Sequence, residues 1–181
     1  MQPSLPVRVR ADFEHVYPGA SRRATECAMN LVKTGDMVVS RVSSLLSQFD
    51  ITPAGGLVLS MLAEAAEPLP QSTIRERLLV SGPTVTGVLD SLERRGLVRR
   101  LVQPGDRRRR RVEITPEGSA VAAAFLPVVH AAERPWMSCL SDDEQQSLIE
   151  LLGRIQQQLT TTGDEKVAPP HSVGHTRGQR G

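Results

Sequence analysis

Apolar residues recur at helical spacing in six stretches of this chain, and at strand spacing in two more. From Ser21 to Gln48 the pattern runs Ala24, Cys27, Leu31, Thr34, Val38, Arg41, Val42, Leu45 and Leu46, then Phe49. That is close to a 3.6-residue period over seven turns. At 1.5 Å per residue such a helix is about 40 Å long. A small domain cannot cover it alone, so a partner subunit is its natural cover. Thr52-Pro53 then opens a second helix, with Thr as N-cap and Pro at the first helical position. It is expected to run to about Ala66. The pair Gly55-Gly56 predicts a loose first turn, and Pro68 and Pro70 end the helix.

A short third helix follows over Gln71–Val80, with Ile74, Leu78 and Leu79 as its inner face. Ser81-Gly82-Pro83-Thr84 opens a fourth, where Ser81 can cap and Pro83 fits a turn that needs no amide donor. Val85, Val88, Leu89 and Leu92 form its core stripe, and Gly96 stops it as the residue after the C-cap. Thr84, Thr86, Gly87, Ser91, Arg94 and Arg95 fall on the outer positions. Residues 97–102 and 110–114 read as two strands joined by Gln103-Pro104-Gly105-Asp106 and the arginines after it. In the second strand Val112 and Ile114 share one face, Arg111 and Glu113 the other.

Thr115-Pro116 starts a fifth helix, rich in Ala and Val, which reaches about Met137 and is expected to kink or break at Pro127 and Pro135. Ser141-Asp142-Asp143-Glu144 is a capping box with Leu140 as staple. Leu148, Ile149, Leu151, Leu152, Ile155 and Leu159 then give the sixth helix an apolar strip wide enough to call for a partner. Residues 1–20 form an extension, an arm expected to pack on another part of the assembly. Residues 161–181 carry almost no large apolar side chains and are expected to be disordered. The domain therefore spans 21–160. Its inner lobe is about 52–115, and helices at about 21–48 and 116–160 surround that lobe.

The composition adds little until its distribution is read. Aromatics are 3% of 181 residues, so the core must be aliphatic. The net charge of +2 is unremarkable. Yet residues 93–111 hold arginines at 94, 95, 99, 100 and 107–111 against only Glu93 and Asp106. Such a local excess points to an anionic partner. Cys27 and Cys139 are far apart, and with no CxxC or nearby His they argue against a disulfide framework or a zinc site. No run of about 18 apolar residues exists to span a membrane. The N-terminus, with Pro3, Pro6, Arg8 and Arg10, lacks the apolar core of a secretory signal. The expectation is a cytoplasmic protein. With no Gly-rich phosphate loop, no metal-ligand spacing and no nucleophile elbow, it is read as not an enzyme, with no metal and no cofactor.

A short helix, a tight turn, a capped helix with a glycine stop and a basic hairpin make a helix-turn-helix followed by a wing. The fold class is mainly α with a small β-hairpin wing. In such a motif the second helix enters the major groove of double-stranded DNA. Ser81, Thr84 and Thr86 then face phosphates and base edges, and Arg94 lies at the far end of the same helix. Gln71 and Ser72, at the start of the preceding helix, are placed for phosphates. The hairpin can put an arginine into a narrow minor groove. Asp106 pairs there with a neighbouring guanidinium to shape the loop, or is an ordinary turn residue. Arg108 is the leading minor-groove candidate, next to Arg107, and Arg109, Arg110 and Arg111 are expected to add phosphate attraction and not sequence reading.

The run from Val85 to Val98, with Leu92-Glu93-Arg94-Arg95-Gly96-Leu97-Val98 inside it, resembles the MarR family of transcriptional regulators. Asp106-Arg107-Arg108 and Val112-Glu113-Ile114-Thr115-Pro116-Glu117-Gly118 strengthen the likeness, which covers about residues 21–160. It implies a homodimer built by the first, fifth and sixth helices. It implies two recognition helices in successive major grooves of a pseudo-palindromic operator. It implies repression relieved by a small-molecule effector bound between the dimerisation and DNA-binding regions. The wing Asp and Arg of the family fall on Asp106 and Arg108. Gly82, Pro83 and Gly87 leave this recognition helix short of long base-reading side chains. Two alternatives stay open. One is a thiol-based redox sensor through Cys27, against which stand the family's missing paired tyrosines (Tyr17 is the only one) and the usual role of a free Cys as a small core residue. The other is a winged helix that binds protein instead of DNA.

Overall fold

The computed structural model describes residues 5–78, 82–102 and 110–162. The chain divides into two compact units, one up to Arg134 and one from Pro135. The first holds α1 (Phe13–Val16), α2 (Arg22–Leu46), α3 (Pro53–Glu64), α4 (Gln71–Leu78), α5 (Gly82–Arg94) and nearly all of α6 (Pro116–Met137). It also holds the strands β1 (Leu69–Pro70), β2 (Val98–Val102) and β3 (Arg110–Ile114). The second unit holds α7 (Asp142–Thr162). Among the described residues no single helix is long and apolar enough to cross a membrane.

The long first helix starts where its cap does: the Ser21 hydroxyl accepts from the Ala24 amide at 3.3 Å. After Leu46 one 3-10 turn, Ser47–Phe49, leads to Asp50 at φ 55°. The first turn of α3 is firm, not loose. Thr52 accepts from the Gly55 amide through its hydroxyl at 3.1 Å and from the Gly56 amide through its carbonyl at 2.8 Å. Both glycines are buried, and the fixed N-cap offsets their weak helix propensity.

Three strands form the sheet, in the order β1-β3-β2, all antiparallel. The short β1 is an addition to the two expected strands. Leu69 pairs with Val112 and Pro70 with Arg111. Helix α3 already stops at Glu64, ahead of Pro68 and Pro70, which were expected to end it; Pro70 lies instead in an edge strand, where its missing N–H costs no ladder bond. The hairpin pairs Val98 with Ile114 and Arg100 with Val112. Val112 is fully buried and Ile114 packs against the core, as their alternation predicts.

One aliphatic cluster joins these elements. Val58 and Leu59 of α3, Ile74 of α4, Val85 and Leu89 of α5 and Val112 of β3 are all fully buried. Each such side chain stabilises the fold by about 1.5–3 kcal/mol on burial. Phe125 of α6 seals one side, tilted against Phe49 at 6.2 Å between ring centroids. The expected break in the fifth helix does not occur: α6 is continuous through Pro127 and past Pro135. The predicted capping box of α7 is formed, with Ser141 and Glu144 exchanging bonds of 2.8 and 3.3 Å. Helix α7 runs through Thr161 and Thr162, where disorder was expected to begin. The rest of that expected tail lies outside the described residues.

The N-terminal arm packs on α2. Val7 exchanges bonds with the Asn30 side chain, its amide donating at 2.7 Å and its carbonyl accepting at 2.9 Å. The Val9 amide donates to Glu26 at 3.0 Å, and Lys33 donates to the Leu5 carbonyl at 2.9 Å. Positions 26, 30 and 33 are one face of the helix. Glu26 is buried, and it also pairs with Arg8 at 2.9 Å and Arg22 at 3.3 Å. The Val9 amide first, then Arg8, hold its carboxyl below the ordinary carboxylate value.

Candidate nucleic-acid interface

The helix-turn-helix is α4 followed by α5. Ile74 and Leu78 bury the inner side of α4; Leu79 lies outside the described residues. In α5, Val85, Leu89 and Leu92 face the core, while Thr86, Gly87, Asp90, Ser91 and Arg94 are exposed. Those five positions share one side of a 3.6-residue helix. The result is a helix anchored by aliphatic side chains with a small polar face outward.

Its end is set by Gly96. That residue has φ +71°, the left-handed region where a side chain is strained. The Gly96 amide donates to the Glu93 carbonyl at 2.9 Å and the Leu97 amide to the Leu92 carbonyl at 3.0 Å. This pair of bonds is the Schellman stop, and the two leucines it links, Leu92 and Leu97, are both buried in the core cluster. The chain then enters β2 directly, so the wing starts within four residues of the recognition helix.

A second joint ties the wing to α6. Thr115 caps that helix by accepting from the Gly118 amide at 3.0 Å, and its hydroxyl donates to the Gly96 carbonyl at 2.6 Å. The Thr115 amide donates to the Leu97 carbonyl at 3.1 Å. A Cβ at position 118 would lie 1.9 Å from the Leu97 carbonyl oxygen, so only glycine fits there.

The arginine cluster is partly consumed inside the protein. Arg95 pairs with Asp50, its other nitrogen donating to the Asp50 carbonyl. Arg99 pairs across the hairpin with Glu113, and Arg111 pairs with Glu67 at 3.6 Å. Arg100 lies between Asp90 and Glu93 of α5, at 2.6 Å from each. Burial pulls its guanidinium down, but the two carboxylates outweigh that and raise it above the ordinary arginine value. Arg111, expected to add phosphate attraction, therefore has an acid partner. The sequence could show the charge excess but not these long-range pairings.

The predicted contact residues fall as follows. Gln71 is the first residue of α4 and half-buried, and Ser72 is exposed beside it. Thr84 lies in the first turn of α5, Thr86 is exposed on its outer face, and Arg94 ends it, its Nε donating to the Asp90 carbonyl at 3.3 Å. Ser81, Asp106, Arg107, Arg108 and Arg109 lie outside the described residues. Cys27 is exposed on α2, not a core residue, and lines a cavity of about 570 Å³ with Arg8, Arg22 and Arg23. Among the described residues no three His, Cys, Asp or Glu side chains are grouped as metal ligands.

A separate pocket of about 340 Å³ lies between α2, α3 and α6. Val38, Val42, Leu57, Phe125 and Val129 give it apolar walls, and Ser60, His130 and Glu133 are its polar groups.

Residues 49–109 match the model of the MarR family. The transcriptional regulator PecS of Dickeya dadantii is 32% identical over 126 residues, 68% of this chain and 72% of its own length. The S. aureus MepR–DNA complex superimposes with a TM-score of 0.66 at 28% identity, covering 73% of this chain and 97% of MepR. CouR from Rhodococcus jostii RHA1, bound to p-coumaroyl-CoA, gives a TM-score of 0.64 at 27% identity over 70% of this chain and 88% of CouR. The chain belongs to the MarR family of DNA-binding transcriptional regulators, with the winged helix-turn-helix fold.

Proposed function

We propose that this protein is a dimeric repressor that sits on a pseudo-palindromic operator and is released by a small-molecule effector. The observation that carries the reading is the outward face of α5 joined without slack to the wing. Gln71, Ser72, Ser81, Thr84, Thr86 and Arg94 are the contacts assigned to the helix-turn-helix. Asp106 shapes the wing loop, Arg108 with Arg107 beside it approaches the minor groove, and Arg109 adds phosphate attraction.

Two surplus apolar faces support the dimer. Met29, Val32 and Val39 on α2 are 45–72% exposed, and Ile149, Leu151, Ile155 and Leu159 on α7 are 42–69% exposed. So much bare aliphatic surface on helices is the mark of an interface. The helices at about 21–48 and 116–160 form the dimerisation region around a DNA-binding lobe of about 52–115.

The pocket between α2, α3 and α6 is the effector site in this reading. Its volume suits a small organic ligand. One wall is α3, which packs directly on α4 and α5. A ligand there can bias the recognition helix if it binds one of two arrangements better. The bound p-coumaroyl-CoA of CouR supports ligand response in a related fold.

Anisotropy titration against duplex DNA at several salt concentrations tests the DNA part. The logarithm of affinity should fall linearly with that of salt, by about 0.9 per phosphate neutralised. The acid partners of Arg95, Arg99, Arg100 and Arg111 predict a slope below what nine arginines per subunit would give. A flat profile would refute phosphate contact. Val129→Trp, which fills the pocket, should leave DNA affinity intact and abolish release by any effector found.

A further inference from the structure

We propose that Arg100 is a positioning residue: its fork on Asp90 and Glu93 fixes the wing against the recognition helix, and operator affinity depends on that clamp. The proposal rests on the DNA-binding reading above. Arg99 and Arg100 are neighbours on β2, yet their side chains have opposite fates. That of Arg99 is 69% exposed and that of Arg100 only 16%. Alternation along the strand sends Arg100 inward to the junction with α5, away from any phosphate beside the wing. Asp90 and Glu93 are three residues apart, so they present their carboxylates on one side of the helix.

The clamp has three points. Two guanidinium nitrogens of Arg100 lie 2.6 Å from Asp90 Oδ1 and from Glu93 Oε2. Its backbone amide donates to Glu93 Oε1 at 3.0 Å. One glutamate thus holds both the side chain and the main chain of β2. Arg100 in turn pairs with Val112 of β3, so the grip reaches both strands of the hairpin. Residues 103–109, which hold the arginines proposed for the minor groove, begin three positions after Arg100 in the sequence. A tilt at this joint changes how both strands of the hairpin are presented to DNA. Lysine cannot replace the fork, because an ammonium is a point charge and not a planar pair of donors.

The charge of these groups gives the test its sign. Asp90 is on the exposed face of α5, and Glu93 is close behind it. If they acted only as charges, neutralising either would ease the approach of phosphates and tighten binding. If they hold the clamp, neutralising either loosens the wing and weakens binding. Asp90→Asn, Glu93→Gln, Arg100→Lys and Arg100→Met are compared with wild type on a selected operator and on an unrelated duplex. Folding of each is checked by circular dichroism. The clamp predicts that each loses about tenfold or more on the operator and far less on the unrelated duplex. Pairing Arg100→Met with Glu93→Gln should add little to either alone. Acid variants that bind the operator as well as wild type, or better, overturn the proposal, as does full affinity in Arg100→Lys. If Arg100→Met does not fold, the two acid variants decide. If wild type binds no duplex at all, the DNA reading fails first. Amide exchange in β2 and β3 then judges the clamp alone: faster exchange in Glu93→Gln supports it, and unchanged exchange overturns it.

Discussion

Gly118 is the point where α6 crosses the start of the wing, and replacing it with alanine isolates that joint. Helix propensity alone favours alanine over glycine by up to about 1 kcal/mol. Packing opposes it. The new Cβ would sit 1.9 Å from the Leu97 carbonyl oxygen and 2.9 Å from Ile114 Cγ1. The first neighbour is backbone, held by the Thr115 amide at 3.1 Å, and cannot rotate away. Relief needs a shift of more than about 1 Å in either α6 or β2, and such overpacking costs about 1–3 kcal/mol or more. Because the clash is with backbone, the upper end of that cost applies; less the propensity gain it leaves a net loss of about 2 kcal/mol, which in a chain of this size lowers Tm by roughly 4–8 °C. Gly87→Ala is the matched control, inside α5 with nothing within 4 Å of its Cβ. It should gain about 0.5–1 kcal/mol. Urea titrations followed by circular dichroism measure both. If Gly118→Ala is as stable as wild type, α6 does not lie against the wing as described, and the two joints that fix the hairpin reduce to one.

The arm on α2 should respond to acid. Glu26 is held below its ordinary value of 4.5, so the stability it supplies is complete above about pH 4.5 and is lost as pH falls through the lowered value. The Val9 amide resonance should report this titration and lose it in Glu26→Gln; a midpoint above 4.5 would contradict the sign. Leu151→Glu with Ile155→Glu should convert a sedimenting dimer to monomer at micromolar concentration, and a persistent dimer would remove α7 from the interface. Arg108→Ala should weaken operator binding by about 1–3 kcal/mol with the fold intact; unchanged affinity would show that this arginine does not enter the groove.

Local chemistry made much of this fold legible. Thr52, Thr115 and Ser141 each announced a helix start, and all three accept the expected amide bond. Gly96 announced a stop and carries the positive φ that the stop requires. Period-2 spacing put Val112 in the core. What stayed hidden depends on partners distant in sequence. β1 is two residues long and exists because β3 lies beside it. Pro127 and Pro135 read as breaks, yet α6 continues through both. The arm shows no periodicity because side chains of α2, not its own pattern, bind its backbone. The arginine run suggested free charge throughout; four of its members have acids 14 to 45 residues away or on the adjacent helix.

In the proposed function, α5 and the wing of two subunits together read one symmetric stretch of DNA. Selection of binding sites from a random duplex pool by the full-length protein tests it most directly. The expected result is enrichment of a two-fold symmetric sequence whose half-sites are centred about 10 base pairs apart, one turn of the double helix. A pool that shows no enrichment, or a single asymmetric half-site, would contradict it.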